Sequence, residues 1–255
     1  MGLIQFIVAR RHASCQQQVF QRICQANQLR LERVGNLPDL ATLQEVFEER
    51  AYADYFPFYQ AATVVDIGAH KGYFSLFALK NLAANARIVA VEPYAANREQ
   101  LQQNLEANGG GHVQCVALGL GPSTGEGTLY LGRSENHSLF QQHSRLLQGP
   151  DGGGTAAVSL RTLKDFLAEQ HLAQVDFCKF DCEGAEYPAI LGADRETLQK
   201  IRTISMEFHD LRDPRYTALS LAGHLQANGF RIVKLQHGAS LINNNYGKLI
   251  ACRDD

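Results

Sequence analysis

Two acidic residues, each at the end of an apolar run, are the most informative feature of this sequence. Asp66 follows a valine pair, and Glu92 ends a second apolar run 26 residues further on. Gly68 and Gly72 follow the first acid and allow a sharp turn that brings the backbone close to a ligand. Glu92 can stand at the end of the neighbouring strand, where its carboxylate could accept hydrogen bonds from both hydroxyls of a ribose. The pattern predicts a pocket for a nucleoside cofactor.

The spacing of the glycines separates two classes of cofactor. A pyrophosphate-binding loop has the spacing Gly-x-Gly-x-x-Gly and no carboxylate facing the phosphates. Here Gly68 and Gly72 are spaced Gly-x-x-x-Gly, and we expect Asp66 at the mouth of the pocket. These features favour a cofactor that has a ribose and a positive charge but no phosphate, a description that S-adenosylmethionine (SAM) meets. A nicotinamide dehydrogenase would share the strands, but the phosphate loop that it needs is missing from the sequence.

A second segment, Val175–Tyr187, places a lysine within an apolar strand. Strand alternation puts Lys179 on the same face as buried neighbours, where an unpaired charge is costly. The lysine therefore needs an acidic partner. The candidate partners are Asp181, Glu92 and Glu207.

Three acids follow the lysine strand. Asp181 should end it at the edge where ligands bind in open α/β sheets. Glu183 and Glu186 come next, at the expected start of a helix, where a carboxylate also stabilises free backbone amides. Helix capping therefore competes with catalysis as the role of both glutamates.

The strand that ends at Asp210 brings further candidates beside Asp181, and together they could activate a methyl acceptor in two ways. An alcohol has a pKa far above neutrality, so it needs a base or a metal. The candidate bases are Asp181, Glu183, Glu207 and His209. The candidate Mg²⁺ ligands are Asp181 and Glu207, with Glu183, His209 or Asp210 as additions. We favour the metal-free base.

Alternating apolar and helix-forming segments predict an α/β protein. The expected strands are 62–67, 86–92, 112–118, 175–181, 201–208, 230–236 and 247–253. The expected helices are 72–84, 95–108, 162–170, 184–199 and 216–228. Strand alternating with helix implies parallel pairing through right-handed crossovers. Because no helix separates the last two strands, they should form an antiparallel pair, as in the Rossmann-like, seven-stranded sheet of class I methyltransferases.

The chain should have a core with two additions. Residues 1–60 are expected to form a helical N-terminal cap over the pocket, and residues 61–255 a SAM-dependent methyltransferase domain. Within that domain, residues 120–156 should form a strand insertion followed by a mobile, glycine-rich loop. The aromatic run Tyr52–Tyr59 is expected to join cap to core, with a place in the acceptor pocket wall as the alternative.

Composition limits the partners. The formal net charge is −2, and no basic run of five residues occurs, which disfavours nucleic acid as a substrate. The six cysteines show neither a Cys-x-x-Cys pair nor a zinc spacing, as expected for reduced thiols of a cytoplasmic protein. No segment approaches the roughly 20 apolar residues of a membrane span, so we expect no membrane partner. The sequence is compatible with a homodimer without determining one.

Six motifs, taken in chain order, resemble the FkbM family of SAM-dependent methyltransferases. The resemblance runs from about Leu43 to Phe230, and its most specific part is the block Lys-x-Asp-x-Glu-Gly-x-Glu. The motifs are Asp66-Ile-Gly-Ala-His-Lys-Gly-Tyr-Phe-Ser75, Val91-Glu-Pro93, Val116-Ala-Leu-Gly119, Asn136-His-Ser-Leu139, Val158-Ser-Leu-Arg-Thr-Leu-Lys-Asp-Phe-Leu167 and Lys179-Phe-Asp-Cys-Glu-Gly-Ala-Glu186.

The resemblance implies methylation of a hydroxyl group on a small-molecule natural product or a glycan. It also extends the set of candidate cofactor contacts. That set is Asp66, Gly68, His70, Gly72, Glu92, Pro93, Ala117, Leu118, Ser138 and Asp181. His70 stands where the family more often has Asn, and Gly119-Leu-Gly-Pro122 departs from the residues common after the third strand.

Two other functions stay open. A methyl ester could form on a carboxylate of a peptide or small molecule, which needs neither base nor metal but a cation to bind it. A methyltransferase-like protein that only binds a cofactor or partner should lose Asp181 or the acids of the fifth strand, and this chain keeps them. The Asn/Asp-Pro-Pro-Tyr block of many nitrogen methyltransferases is absent, because Asp181-Cys-Glu-Gly184 stands in its place.

Overall fold

The computed structural model describes residues 3–32, 37–132, 137–140, 154–209, 211–237 and 246–253, with the backbone alone for 3–14, 37 and 38. Its helices are α1 (Leu3–Ala26), α2 (Leu37–Phe47), α3 (Tyr73–Asn81), α4 (Ala95–Ala107), α5 (Leu163–Glu169), α6 (Glu186–Leu191), α7 (Arg195–Leu198) and α8 (Ala218–Ala227). Its strands are β1 (Thr63–Ile67), β2 (Arg87–Val91), β3 (Gln114–Val116), β4 (Gly119–Leu120), β5 (Gly125–Tyr130), β6 (Thr155–Arg161), β7 (Val175–Phe180), β8 (Ile201–His209), β9 (Arg231–His237) and β10 (Tyr246–Cys252). None of the described helices is both long enough and apolar enough to cross a membrane.

The large sheet has the predicted topology. Within the described residues it contains seven strands in the order β3-β2-β1-β7-β8-β10-β9. β1 is parallel to β2 and β7, β8 is parallel to β7, and β10 is antiparallel to both β8 and β9. The strand order reverses between β1 and β7, so the carboxyl ends of these strands border a crevice suited to a ligand. The predicted sheet, with its reversed last pair, is confirmed.

Helices cover both faces of the sheet, which is why four of the five residues of β1 are buried. Successive side chains of a strand point to opposite faces. Val65 and Ile67 accordingly join one core cluster with Phe166, while Val64 joins a second cluster with Leu43. Leu43 belongs to α2, so the N-terminal helices extend the core of the sheet instead of standing apart from it.

The aromatic run before β1 joins the N-terminal helices to the core, as predicted. The ring of Phe56 lies 5.3 Å from Phe77 and 5.3 Å from Phe177, centroid to centroid. The ring of Tyr52 lies 5.3 Å from that of Phe74. Edge-to-face aromatic pairs of this kind stabilise a contact beyond the area that they bury.

The single helix predicted across 184–199 is wrong. The chain forms α6 and α7 there, separated by Gly192–Asp194. Asp194 has an extended backbone, and its carboxylate accepts a hydrogen bond from the N–H of Thr197 at 2.8 Å. Asp194 is therefore an N-cap that ends one helix segment and begins the next.

The insertion contributes to a small second sheet. Its strands follow the order β4-β6-β5 in the described part of the chain, with β5 antiparallel to β6. The strand β6 was not predicted. Tyr130 at the end of β5 forms an isolated bridge with Ser138. Residues 141–153, which include most of the segment predicted to be a mobile loop, lie outside the described residues.

Candidate active site

The carboxyl ends of β1, β2, β7 and β8 open into one cavity of about 970 Å³. Its wall is built from the turns after these strands together with residues of α2, the segment 137–139 and β10. A cavity of this size is large enough for a nucleoside cofactor and part of an acceptor. The predicted strand-end residues therefore have one common space to act in.

The turn after β1 is held tightly between its neighbours. The N–H groups of Gly68 and Ala69 both donate to the carbonyl oxygen of Val91, at 3.0 and 2.9 Å. Gly68 has φ +76°, and a Cβ there would lie 1.8 Å from the carbonyl oxygen of Asp181. Only glycine fits this approach of β1 to β7. Gly72 serves packing instead, since a Cβ there would meet Leu101 at 2.4 Å.

Asp66 is not at the mouth of the pocket, so that expectation is wrong. Its side chain is fully buried, where it accepts a hydrogen bond from the Ser75 hydroxyl at 2.7 Å. Lys179 Nζ donates to its other oxygen at 3.0 Å. Asp66 is thus the close acidic partner of Lys179. Of the three partners predicted from the sequence, Asp181 lies within ion-pair distance of Lys179, at 3.7 Å. Burial opposes the charge of Lys179, but Asp66 and Asp181 together raise its pKa.

Glu92 stands at the end of β2, as predicted, with its carboxylate in the cavity wall. Its two oxygens accept the N–H groups of His70 and Tyr94, each at 2.9 Å. Burial raises the pKa of Glu92 to about 7, even though these hydrogen bonds favour the ionised form. The Asn97 side chain also hydrogen-bonds this carboxylate, which keeps one lone pair that could accept a hydrogen bond from a ligand hydroxyl.

Asp181 lies at the tip of β7, with 29% of its side chain exposed to the cavity. The Tyr52 hydroxyl donates to it at 3.1 Å. Burial alone would raise the pKa of Asp181, but the charges of Lys179 and His209 outweigh burial and hold the pKa below its usual value. Asp181 is therefore ionised at neutral pH and is a weak proton acceptor.

His209 ends β8 inside a group of carboxylates. Its backbone N–H donates to Glu186 Oε1 at 2.7 Å, and its Nδ1 lies 3.2 Å from the same oxygen. Its Nε2 lies 3.5 Å from both Glu183 and Glu207. Burial opposes protonation, but Glu183 and Glu186 raise the pKa of His209 well above its usual value. These acids therefore favour the imidazolium form of His209, which disfavours His209 as the base.

The pKa of Glu207 is shifted in the opposite direction from that of Asp181. Burial first, and the charge of Asp181 second, raise its pKa to about 7. Its side chain is 15% exposed and lines the cavity. A general base works best when its pKa is close to the working pH. The raised pKa of Glu207 therefore suits proton removal better than the lowered pKa of Asp181.

Comparison with known proteins decides the family. The model of the methyltransferase FkbM domain matches residues 66–232. This chain belongs to the FkbM methyltransferase family. Methyltransferase 1 of Beauveria bassiana is 30% identical over 206 residues, covering 74% of this chain and 80% of that protein. The 31-O-demethyl-FK506 methyltransferase FkbM of Streptomyces tacrolimicus is 25% identical, covering 76% and 82%.

A third relative is much longer than this chain. The AMB antimetabolite synthetase AmbE of Pseudomonas aeruginosa is 29% identical over 224 residues. The match covers 74% of this chain but 10% of AmbE. The chain thus spans about a tenth of the length of this relative and about four fifths of the two others.

An FkbM-family protein is a SAM-dependent methyltransferase, and the cavity suits that cofactor. Glu92 offers a charged acceptor for ribose hydroxyls beside the apolar wall of Pro93 and Leu118, which suits a purine base. The close approach of Gly68 to Asp181 brings backbone to the cavity floor without a side chain in the way. The contact of each of these residues with the cofactor remains a prediction.

Two more predicted cofactor contacts, in addition to Asp66 and Gly72, are absent from the cavity wall. Ala117 is not part of the described cavity wall. Ser138 is fully buried, and its hydroxyl donates to the carbonyl oxygen of Glu183 at 2.6 Å. Ser138 therefore anchors the segment 137–140 to the turn after β7, a turn in which Glu183 has φ +52°. His70, by contrast, does line the cavity.

The sequence did not single out the contribution of the N-terminal helices and of β10. Lys248 Nζ of β10 lies 2.6 Å from Glu45 Oε1 of α2, and both line the cavity. Lys248 is in register with Glu207 on β8. Strand alternation alone would have placed Lys248 on one face of β10. Its position beside Glu207 follows only once β10 is known to pair with β8.

Replacing Glu92 by Ala should weaken the binding of S-adenosylhomocysteine by ~1–3 kcal/mol, because the ribose hydroxyls lose a charged acceptor. With a pKa of about 7 for Glu92, affinity should rise from pH 6 to pH 8 as the carboxylate ionises, and the variant should lack this rise. Isothermal titration calorimetry measures both. Glu99→Ala, on the exposed face of α4, is the control. Equal affinity in the two variants would place the ribose elsewhere.

Proposed function

We propose that this protein transfers the methyl group of SAM to a hydroxyl oxygen of a small-molecule natural product or a glycan. The observation that carries the proposal is Glu207, a carboxylate in the cavity wall whose pKa is raised to about 7 beside an ionised Asp181. Such a carboxylate accepts a proton readily near neutral pH, and a hydroxyl acceptor must lose one.

SAM supplies a methyl group that is activated by a positively charged sulfur. The residues of the protein align the acceptor with it and take up the acceptor proton. Glu207 accepts the hydroxyl proton while the oxygen–carbon bond forms and the carbon–sulfur bond breaks, leaving S-adenosylhomocysteine. His209 lies 3.5 Å from both Glu207 and Glu183, so its positive charge holds the two carboxylates in place.

Charge in the cavity favours a hydroxyl over a carboxylate acceptor. In the described wall, the cationic side chains of Lys248 and His209 already have acidic partners. Glu49 adds a further carboxylate to the same wall. These acids would repel an acceptor carboxylate, because Lys248 and His209 already neutralise other carboxylates of the wall. The name of one relative, 31-O-demethyl-FK506 methyltransferase, also indicates that this relative methylates an oxygen of its acceptor.

Paired acceptors test the proposal. Each pair carries either an alcohol or a carboxylate on the same carbon skeleton, and the enzyme is supplied with SAM that has a deuterated methyl group. We expect mass spectrometry to find a methyl ether that survives mild alkali. A product that mild alkali hydrolyses back to the acid would instead identify a methyl ester and overturn the hydroxyl assignment.

A metal-assisted reaction is the second candidate. Asp181, Glu207 and His209 each offer a ligand atom, and these atoms lie within 4.8 Å of one another. Glu186 orients the His209 ring through Nδ1, as a carboxylate does behind many metal-bound histidines. A metal would have to displace the proton of His209, which its acidic neighbours stabilise. Asp210, a further predicted ligand, lies outside the described residues.

Chelation separates the two candidates. If Glu207 is the base, treatment with EDTA should leave turnover of a hydroxyl acceptor unchanged, because no step then depends on a metal ion. Methyl transfer is measured by mass spectrometry with and without EDTA, and then with added Mg²⁺. Binding of S-adenosylhomocysteine under the same conditions is the control. Turnover that EDTA abolishes and Mg²⁺ restores, at constant cofactor affinity, would establish the metal site instead.

A further inference from the structure

A tyrosine from outside the matched FkbM domain reaches the carboxylate at the tip of β7. Tyr52 precedes residues 66–232, which match the domain, and its hydroxyl donates to Asp181 Oδ2 at 3.1 Å. Tyr52 is 4% exposed, so this hydrogen bond forms away from bulk water. Burial first, and then the charge of Asp181, raise the pKa of Tyr52 well above its usual value, so the phenol keeps the proton that it donates.

The ring of Tyr52 is held by its neighbours. It meets the ring of Phe74 edge to face, and the ammonium groups of Lys179 and Lys248 each lie 5.4 Å from its centroid. A cation within about 6 Å of an aromatic centroid is attracted to the ring. Lys248 is held in turn by Glu45 of α2 at 2.6 Å. Because these contacts fix the ring, the hydroxyl has a defined position beside the end of β7.

The two oxygens of Asp181 have different surroundings. Oδ2 accepts the Tyr52 hydroxyl and lies 3.7 Å from Lys179 Nζ, a distance too long for a hydrogen bond. Oδ1 has no hydrogen-bond or ion-pair partner within the part of the chain that the structure describes, and Asp181 lines the cavity. A carboxylate rotates easily about its last bond. Without the tyrosine hydroxyl, Asp181 would be free to turn toward Lys179 and away from the cavity.

We propose that Tyr52 is a positioning residue for methyl transfer, whose hydroxyl fixes the Asp181 carboxylate so that its free oxygen meets a donor group of the acceptor. Asp181, Glu207 and His209 each offer an atom within 4.8 Å of the other two, so an acceptor held at Glu207 also lies beside Asp181. A fixed carboxylate aligns the acceptor for attack on the methyl group. Tyr52 is not part of the described cavity wall and acts through Asp181. The inference rests on the proposed transfer to a hydroxyl acceptor, but not on Glu207 as the base.

A double-mutant cycle tests this role. Tyr52→Phe keeps the ring and its contacts but removes the hydroxyl, and it should lower turnover about 10-fold. In an Asp181→Ala background the same change should lower turnover no further, whereas Asn at this position would still accept the Tyr52 hydroxyl. The probe is the alcohol that yields a methyl ether in the paired-acceptor assay, used at about pH 8.5, where Glu207 is ionised. Equal losses in the two backgrounds would show a purely structural tyrosine and overturn the proposal, as would normal turnover in Tyr52→Phe.

Crystal structures with bound S-adenosylhomocysteine test the geometry without an acceptor. In Tyr52→Phe the Asp181 carboxylate should turn to within hydrogen-bond distance of Lys179 Nζ, and an unmoved carboxylate would overturn the proposal. Tyr59→Phe, at a 79% exposed position outside the cavity wall, is the matched control and should change neither turnover nor Asp181. If no alcohol of the paired series is methylated, the hydroxyl assignment fails and this proposal fails with it. A methylated alcohol with equal losses in the two backgrounds removes only the role of Tyr52.

Discussion

Replacing Glu207 by Gln should lower the turnover of a hydroxyl acceptor by roughly 100-fold or more while leaving SAM affinity unchanged, as expected when a general base is removed. Gln keeps the size of the side chain but cannot take up the proton. The rate of the unaltered enzyme should rise with pH and level off above about 7, because the base must be ionised and the pKa of Glu207 is about 7. The variant should lose this rise.

Initial-rate measurements between pH 5.5 and 9 check both parts of this prediction. Glu196→Gln, on the exposed surface of α7, is the matched control and should keep the normal rate and pH profile. Near-normal turnover in Glu207→Gln would contradict the assignment. Glu183 would then become the next candidate, because Asp181 is held ionised and His209 is held protonated.

Replacing Lys179 by Met should lower the free energy of unfolding by ~3–5 kcal/mol, because Asp66 would be left as an unpaired charge in the core. The carboxylate of Asp66 is fully buried, and Lys179 Nζ at 3.0 Å is its cationic partner. Urea denaturation followed by circular dichroism measures the loss. Adding Asp66→Asn to the variant removes the stranded charge and should restore part of the stability.

Asp181→Asn is the matched comparison for this pair. It removes a carboxylate 3.7 Å from the same lysine, but Asp181 is 29% exposed at the cavity, and Lys179 keeps its closer partner Asp66. We therefore expect a small loss of stability together with a pH–rate profile shifted to lower pH, because the charge of Asp181 helps to raise the pKa of Glu207. If Asp181→Asn instead unfolds the protein and Lys179→Met does not, the roles of the two carboxylates are reversed.

The large sheet could be predicted from the sequence because its strands are short apolar runs bounded by glycines and acids. Each of the predicted strands lies within two residues of its observed bounds. β6 was missed, because Thr155–Arg161 alternates weakly and belongs to a separate small sheet. The helix from 184 to 199 was predicted too long, because Asp194 reads equally well as an interior residue until its capping hydrogen bond is seen.

The sequence by itself determined the parallel sheet, the FkbM resemblance and the strand ends at which Glu92, Asp181, Glu207 and His209 stand. These features are local, since an apolar run and its following turn fix where a strand ends. Only the tertiary structure decided what each charged group does. Asp66 lies near the end of β1 and Asp181 directly follows β7. Asp66 is nevertheless buried against Lys179, whereas Asp181 faces the cavity. Charge, burial and partner arise from segments far apart in the chain, so the pKa that suits Glu207 to proton transfer exists only in the fold.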